Sequence, residues 1–302
     1  MRYCIALIMS FCFCIPSGIA ASDGQAGWTA YNTGDYATAL KEWQPLAEAG
    51  NSESQYMLGY MYMVGQGVLY DSAKSLHWFT RAAETGYPPA QFALASLYEH
   101  GTGVQQSNER AMHWYEQAAL AGFSQAQFYL GYLYTEGQMV PQNYEIALKW
   151  YRTAADNGDP AAQNNLGLMY LSGEGVDQDA EQALHWLREA AEQDLPQAQR
   201  MLGELYAEGK IVKQDYYIAV EWFFRAARQG DVTAKYHLGK MYARGIGVMR
   251  NIDNAKRWLK SAADEGLAMA EDELADLNRA QAINRAKYPL PKTISSRYND
   301  FS

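Results

Sequence analysis

The chain has 302 residues, with 25 Lys+Arg against 34 Asp+Glu, a formal net charge of −9. Apolar residues make up 48% and charged residues 20%, enough to bury a core and unlike a chain disordered by composition. The acidic balance argues against nucleic acid or an anionic membrane surface as the main partner.

Arg2 gives a short positive start, and Tyr3 to Ile15 is an almost unbroken apolar run holding Ile5, Leu7, Ile8, Phe11 and Phe13. Pro16 and Gly18 break the run, and Gly18-Ile19-Ala20 offers small residues at both positions that a signal peptidase reads. Residues 1–20 are therefore expected to be a secretory signal peptide, cleaved after Ala20 or, as the alternative, after Ala21. The run is shorter than the roughly 20 residues a membrane-spanning helix requires, so no span is expected after cleavage. Lipidation would need Cys12 or Cys14, but Phe11 and Phe13 stand where a small residue is required. With Cys4 these are the chain's 3 cysteines, so the mature part is expected to have no disulfide, no thiolate metal site and no cysteine nucleophile. Export without cysteine suits a bacterial periplasm, with secretion as the other destination.

Gly34-Asp35-Tyr36-Ala37-Thr38-Ala39-Leu40, running on to Gly50, reads as one helix, and residues 25–32 as its partner. Residues 25–50 are thus expected to be an N-terminal capping hairpin.

From residue 51 to 266 one unit is written six times: 51–86, 87–122, 123–158, 159–194, 195–230 and 231–266. Leu58, Leu94, Leu130, Leu166, Leu202 and Leu238 stand 36 apart, as do Trp78 to Trp258 and Tyr62 to Tyr242, with no slip of register. Each copy reads as two helices. The first (A) carries an apolar stripe through Ser54, Leu58, Met61 and Tyr62, and its equivalents of Gly59 are glycine in five copies and Ala95 in the second. Glycine inside a helix costs about 1 kcal/mol against alanine, which is tolerable where a neighbour must approach closely. Helix A is expected to end at Gly65 and its equivalents. Asp71, Ser107, Asn143, Asp179, Asp215 and Asn251 then supply an N-cap oxygen for the second helix (B). Helix B buries Ser75, Trp78, Phe79, Ala82 and Ala83 and stops at a glycine in every copy except the fourth, which has Asp194. One hairpin cannot bury such a face alone, so the copies are expected to stack into an all-α, α/α superhelical solenoid lined by its A helices. A seventh A-type helix closes the array as a C-terminal cap, residues 267–287, with acidic Glu271, Asp272, Glu273 and Asp276 on its outer side. Pro289 and Pro291 end it, and residues 288–302 read as a flexible tail.

Ala126-Gln127-Phe128-Tyr129-Leu130-Gly131, then Tyr134, Gly137, Val140, Ala147, Trp150-Tyr151, Ala154-Ala155 and Gly158, resembles the Sel1-like repeat family, relatives of the tetratricopeptide repeat. The resemblance covers residues 51 to 266. Met139 and Ile211 depart from it where the second loop glycine (Gly67, Gly103, Gly175, Gly247) stands elsewhere. It implies a protein-binding scaffold, adaptor or regulator of the bacterial envelope. It also raises two alternatives, a cell-wall or β-lactam-related hydrolase and a secreted factor acting on a host cell.

The hydrolase alternative finds no support in the motifs: the mature chain has no His-Glu-x-x-His, no Gly-x-Ser-x-Gly and no Ser-x-x-Lys. Gly65-x-Gly67 recurs in phase with the repeat and so belongs to turn chemistry. His77, His113 and His185 each precede a repeat Trp, but equivalent positions in stacked hairpins lie roughly 10 Å apart, too far for one ion with ligands at about 2 Å. No metal, cofactor or catalytic residue is therefore expected.

Around helix A, the positions of 56 and 60 point away from the repeated arc. Their identities vary from copy to copy, so they are expected to be set by a partner rather than by the repeat. Tyr56, Tyr60, Phe92, Phe128 and Tyr132 make an aromatic stretch, and Asn165, Arg200, Glu204, Tyr236 and Lys240 a polar and charged one. Tyr and Arg are common interface anchors. These ten residues are the expected binding surface, on the concave A-helix face, for a protein or peptide.

Overall fold

The computed structural model describes residues 24–287; the expected signal peptide and tail lie outside the described residues. Among the described residues there are fifteen helices and no strand. A short α1 (Gln25–Asn32) pairs with α2 (Tyr36–Glu48). The A helices of the six copies are α3 (Ser52–Val64), α5 (Pro88–His100), α7 (Ser124–Glu136), α9 (Pro160–Ser172), α11 (Pro196–Glu208) and α13 (Val232–Arg244). Their B helices are α4 (Ser72–Glu84), α6 (Asn108–Leu120), α8 (Tyr144–Asp156), α10 (Ala180–Glu192), α12 (Tyr216–Arg228) and α14 (Ile252–Asp264), and α15 (Ala268–Lys287) follows.

The chain divides into two compact units. One holds the residues up to Ala162 with Glu174–Val176, the other Gln163–Gly173 and the residues from Asp177 onward. Inside the first unit each helix packs on the next in sequence, from α1 on α2 through α7 on α8. Inside the second, α10 through α15 do the same, and α15 also reaches back to α13.

The caps read from the sequence hold each B helix. The side chains of Asp71, Ser107, Asn143, Asp179, Asp215 and Asn251 all accept a backbone N–H of the first turn, at 2.9–3.3 Å. Such a cap contributes about 1 kcal/mol. The mid-helix glycine is explained by contact rather than by flexibility. A Cβ on Gly59, Gly131 or Gly203 would come within 2.7 Å of the ring of Phe79, Tyr151 or Phe223, the B-helix residue that lies against it. Two of the tryptophans show the wedge between copies: Trp114 packs on the cluster of Tyr60, Met63, Phe79 and Leu94, and Trp222 on Leu187, Ala198 and Leu202. Arg225 lies over the Trp222 ring at 4.6 Å.

The B-to-A turn demands a left-handed residue. It is glycine at φ 85–98° in copies one, two, three, five and six, and Asp194 at φ 61° in copy four. Asp194 is the one non-glycine with positive φ among the described residues. Met139 and Ile211 therefore follow a different loop path from the equivalent Gly67, Gly103, Gly175 and Gly247, which sit at φ 69–72°.

A buried glutamine ladder links the copies. Gln55, Gln91, Gln127 and Gln199 each donate through Nε2 to the carbonyl of Ala47, Ala83, Ala119 or Ala191, in the last turn of the preceding B-type helix. In copies three to five the amide oxygen at this position accepts. Asn157 donates to Gln127, Gln193 to Gln163 and Gln229 to Gln199, at 2.8–2.9 Å. Copy six substitutes an ion pair, Lys235 to Glu265 at 2.5 Å. In the first two copies the donor position is Thr85 and Ala121, and Gln55 Oε1 and Gln91 Oε1 are buried with no hydrogen-bond partner.

Candidate functional site

The ten expected residues fall into two groups, one in each unit. In the first unit Tyr60 and Phe92 are buried, 5% and 4% exposed. This corrects their assignment to an open surface. Tyr60 belongs to the core with Phe79 and Leu94, and Phe92 to the core with Tyr115 and Leu130. Tyr56 is half-buried, its ring 5.5 Å from Phe79 and 5.8 Å from Tyr87. Phe128 is half-buried against Tyr151 at 5.8 Å. Tyr132 alone of the five is exposed, at 37%, and its ring stacks on Tyr129 at 5.9 Å.

Variation at position 56 has an internal cause. In three copies this side chain meets the residue 31 places ahead, at the start of the next A helix: Tyr56 with Tyr87, Phe92 with Phe123 at 5.7 Å, and Arg200 with Asp231 at 3.3 Å. In these three copies aromatic meets aromatic or cation meets anion, so the junction accounts for these identities; Phe128 with Asp159, Asn164 with Leu195 and Tyr236 with Leu267 are not matched in this way.

In the second unit Arg200 is held between two carboxylates. Arg200 Nη1 donates to Glu204 at 2.7 Å and Nε to Asp231 at 3.3 Å. Burial works against the Arg200 charge, but the bonds from Glu204 and Asp231 outweigh it and hold its pKa above the usual value. His237 stacks flat on Phe223 at 4.7 Å, with Glu204 at 3.8 Å. Burial pushes the imidazole below its ordinary pKa, against the pull of Glu204. Lys240 lies 4.9 Å over the Tyr236 ring, and both are half-buried. Asn165 is half-buried and accepts a long bond from Asn164 at 3.4 Å.

The structure adds a cluster absent from the sequence reading. Glu99, at the end of α5, accepts from Tyr115 Oη at 2.6 Å and from Tyr129 Oη at 2.8 Å. Tyr129 and Tyr115 rings lie 4.9 Å apart, and Phe92 and Phe123 close one side. Burial first, and the Glu99 charge second, push both phenols well above their usual pKa, so both hydroxyls donate. This unit thus offers an exposed ring, Tyr132, stacked on a tyrosine that holds a half-buried carboxylate.

Among the described residues no three or more His, Cys, Asp or Glu side chains gather in a way that could hold a metal ion, and no helix is long and apolar enough to cross a membrane. His77, His113 and His185 are exposed on B helices.

A family model for the Sel1 repeat matches residues 52–87, 88–123, 124–159, 160–195, 196–231 and 232–267. The crystal structure of a Sel1 repeat protein from Oxalobacter formigenes is 38% identical, with a TM-score of 0.74 over 84% of this chain and 75% of that one. That of a protective antigen present in uropathogenic Escherichia coli strains, displaying an SLR fold, is 34% identical, with a TM-score of 0.77 over 80% of this chain. This chain covers 52% of that antigen, about half its length. No curated protein matches the chain. With six matched copies in unbroken succession and paired helices in every one, the chain belongs to the Sel1 repeat family.

Proposed function

We propose that this chain is an exported scaffold or adaptor that captures a protein or peptide partner on the faces of its A helices. Sel1 repeat proteins generally mediate protein–protein interaction, and the fold is generally a non-enzymatic scaffold. The observation that carries the reading is Tyr132. It keeps 37% of its surface exposed, whereas the equivalent Tyr60 is consumed by packing and the equivalent Glu204 by an ion pair. A tyrosine held in place by a stacked neighbour offers a large contact at little entropic cost. Tyr236 and Lys240 on α13 are the corresponding candidates in the second unit, and the apolar run ahead of Ala20 supports export.

A photo-crosslinking amino acid placed at Tyr132 and, separately, at Lys240 tests this in living cells, with His113 on a B helix as control. One and the same partner, identified by mass spectrometry, is expected at both A-helix positions and not at His113. Adducts from His113 alone, or none from either A-helix position, would overturn the reading.

A further inference from the structure

Glu99 is the feature that neither the repeat nor its packing requires. Its position holds Met63, Thr135, Leu171, Ala207 and Ala243 in the other copies. Its side chain is only 17% exposed, and removing a carboxylate from water costs several kcal/mol unless it is compensated. In the second unit compensation is cationic, since Arg200 sits on both Glu204 and Asp231. Around Glu99, among the described residues, no Lys or Arg lies within ion-pair distance. The one basic group near it is His100, whose Nδ1 is 3.9 Å away and also lies 3.0 Å from the Ser96 carbonyl oxygen. Two neutral phenols hold the carboxylate instead. Each carboxylate oxygen has room for about two hydrogen bonds, and the tyrosines fill one on each.

The surroundings are suited to a positive charge. The Tyr129 ring, whose hydroxyl binds Glu99, has Phe92 at 5.9 Å on one side and Tyr132 stacked at 5.9 Å and 25° on another. Ring faces are electron-rich and attract ammonium and guanidinium groups, more strongly where water is reduced. A half-buried anion bonded to Tyr129, whose ring stacks on the exposed Tyr132, matches the chemistry of an organic cation.

We propose that Glu99, Tyr129 and Tyr132 form a subsite for a Lys or Arg side chain of the peptide partner, a specificity that rests on the peptide-binding reading above. The incoming cation would give Glu99 the permanent positive partner that His100 supplies only when protonated, and would lie against the Tyr129–Tyr132 pair.

The full chain is titrated with N-acetyl-L-arginine amide and, in parallel, with the neutral N-acetyl-L-norleucine amide, while the tyrosine ring resonances are followed by NMR. Saturable shifts of Tyr129 and Tyr132 are expected with the arginine compound and not with norleucine. Glu99→Gln, which keeps the side chain's shape, and Tyr132→Ala, at an exposed position, should each weaken that response at least tenfold. An equal response to norleucine, no saturable response to arginine, or a response unchanged in Tyr132→Ala would overturn the subsite, even if Glu99→Gln loses its fold. The Lys240 crosslink separates the two proposals. A partner still captured in full by Glu99→Gln leaves the peptide-binding reading standing and removes the subsite from it.

Discussion

At the scale of single residues, the repeat exposes its own exceptions, because each position has five equivalents for comparison. Asp194 holds a left-handed backbone that costs a non-glycine residue roughly 1–2 kcal/mol. Part of this is recovered, since its carboxylate accepts from Gln199 at 3.1 Å and lies 3.5 Å from Arg225. Asp194→Gly is therefore expected to stabilise the protein by about 1 kcal/mol, less than the full strain, because glycine also gains freedom in the unfolded chain. Thermal or denaturant unfolding of the pair of proteins checks it. His237 makes a second exception. Its pKa is depressed in the folded state by burial under Phe223 and Tyr236, so below about pH 6.5 the unfolded chain binds the proton more readily. Stability contributed by the neutral imidazole is present above that pH and declines as pH falls toward the folded value. The melting temperature is expected to drop between pH 7 and 5 more steeply in the native protein than in His237→Gln. Parallel slopes would show that the group is not protonated at a cost.

At the scale of elements, the glutamine ladder shows how one helix end is tied to the next hairpin. The amide hydrogen caps a carbonyl in the last turn of a B-type helix, where such carbonyls lack an intrahelical partner. Its oxygen then needs a donor, which copies four and five obtain from a glutamine 30 residues ahead. Copy two has Ala121 there, with backbone angles of −76° and 5°, close to the −91° and 3° of Gln229. Ala121→Gln is expected to satisfy Gln91 Oε1 and stabilise by about 0.5–1 kcal/mol, the net worth of a buried bond less the entropy of the new side chain. Urea unfolding with an unchanged slope checks it. The helices, their caps and the stacking were legible because they repeat: six capping residues and six tryptophans at one spacing leave little freedom. The aromatic surface was misread for the same reason. Variation at position 56 reads as freedom in the sequence, and in copies one, two and five the contact across 31 residues, as in Tyr56 to Tyr87 or Arg200 to Asp231, shows it to be matched packing. The Glu99 cluster had no periodic trace at all. It joins Glu99, Tyr115 and Tyr129, 16 and 30 residues apart, in one pair of copies only. A lone carboxylate at a position otherwise apolar or small was its one sign in the chain.

At the scale of the molecule, a repeat array is held by contacts between neighbours, so its stability is approximately a sum over hairpins and the junctions between them. Removing one whole copy keeps the helix register and replaces two junctions by one new one. The new junction is good or bad according to the pairing at position 56. Excision of residues 87–122 would bring Tyr56 against Phe123 in place of Tyr87, one aromatic for another. The ladder would also survive, with Gln127 meeting the Ala83 carbonyl as Gln91 does now. Excision of residues 231–266 instead brings Leu267 to the place of Asp231. Arg200 would keep Glu204 but lose its second anion in a largely covered position, which costs about 1.5 kcal/mol or more for a charged bond. Both shortened chains have the same length, so loss of area alone should lower their melting temperatures similarly. The excision of residues 231–266 is expected to melt several degrees below that of 87–122, and the additional change Arg200→Tyr should recover much of the difference by restoring an apolar contact with Leu267. Equal melting of the two excisions, or no recovery by Arg200→Tyr, would mean that the 31-residue pairing does not govern how these hairpins join.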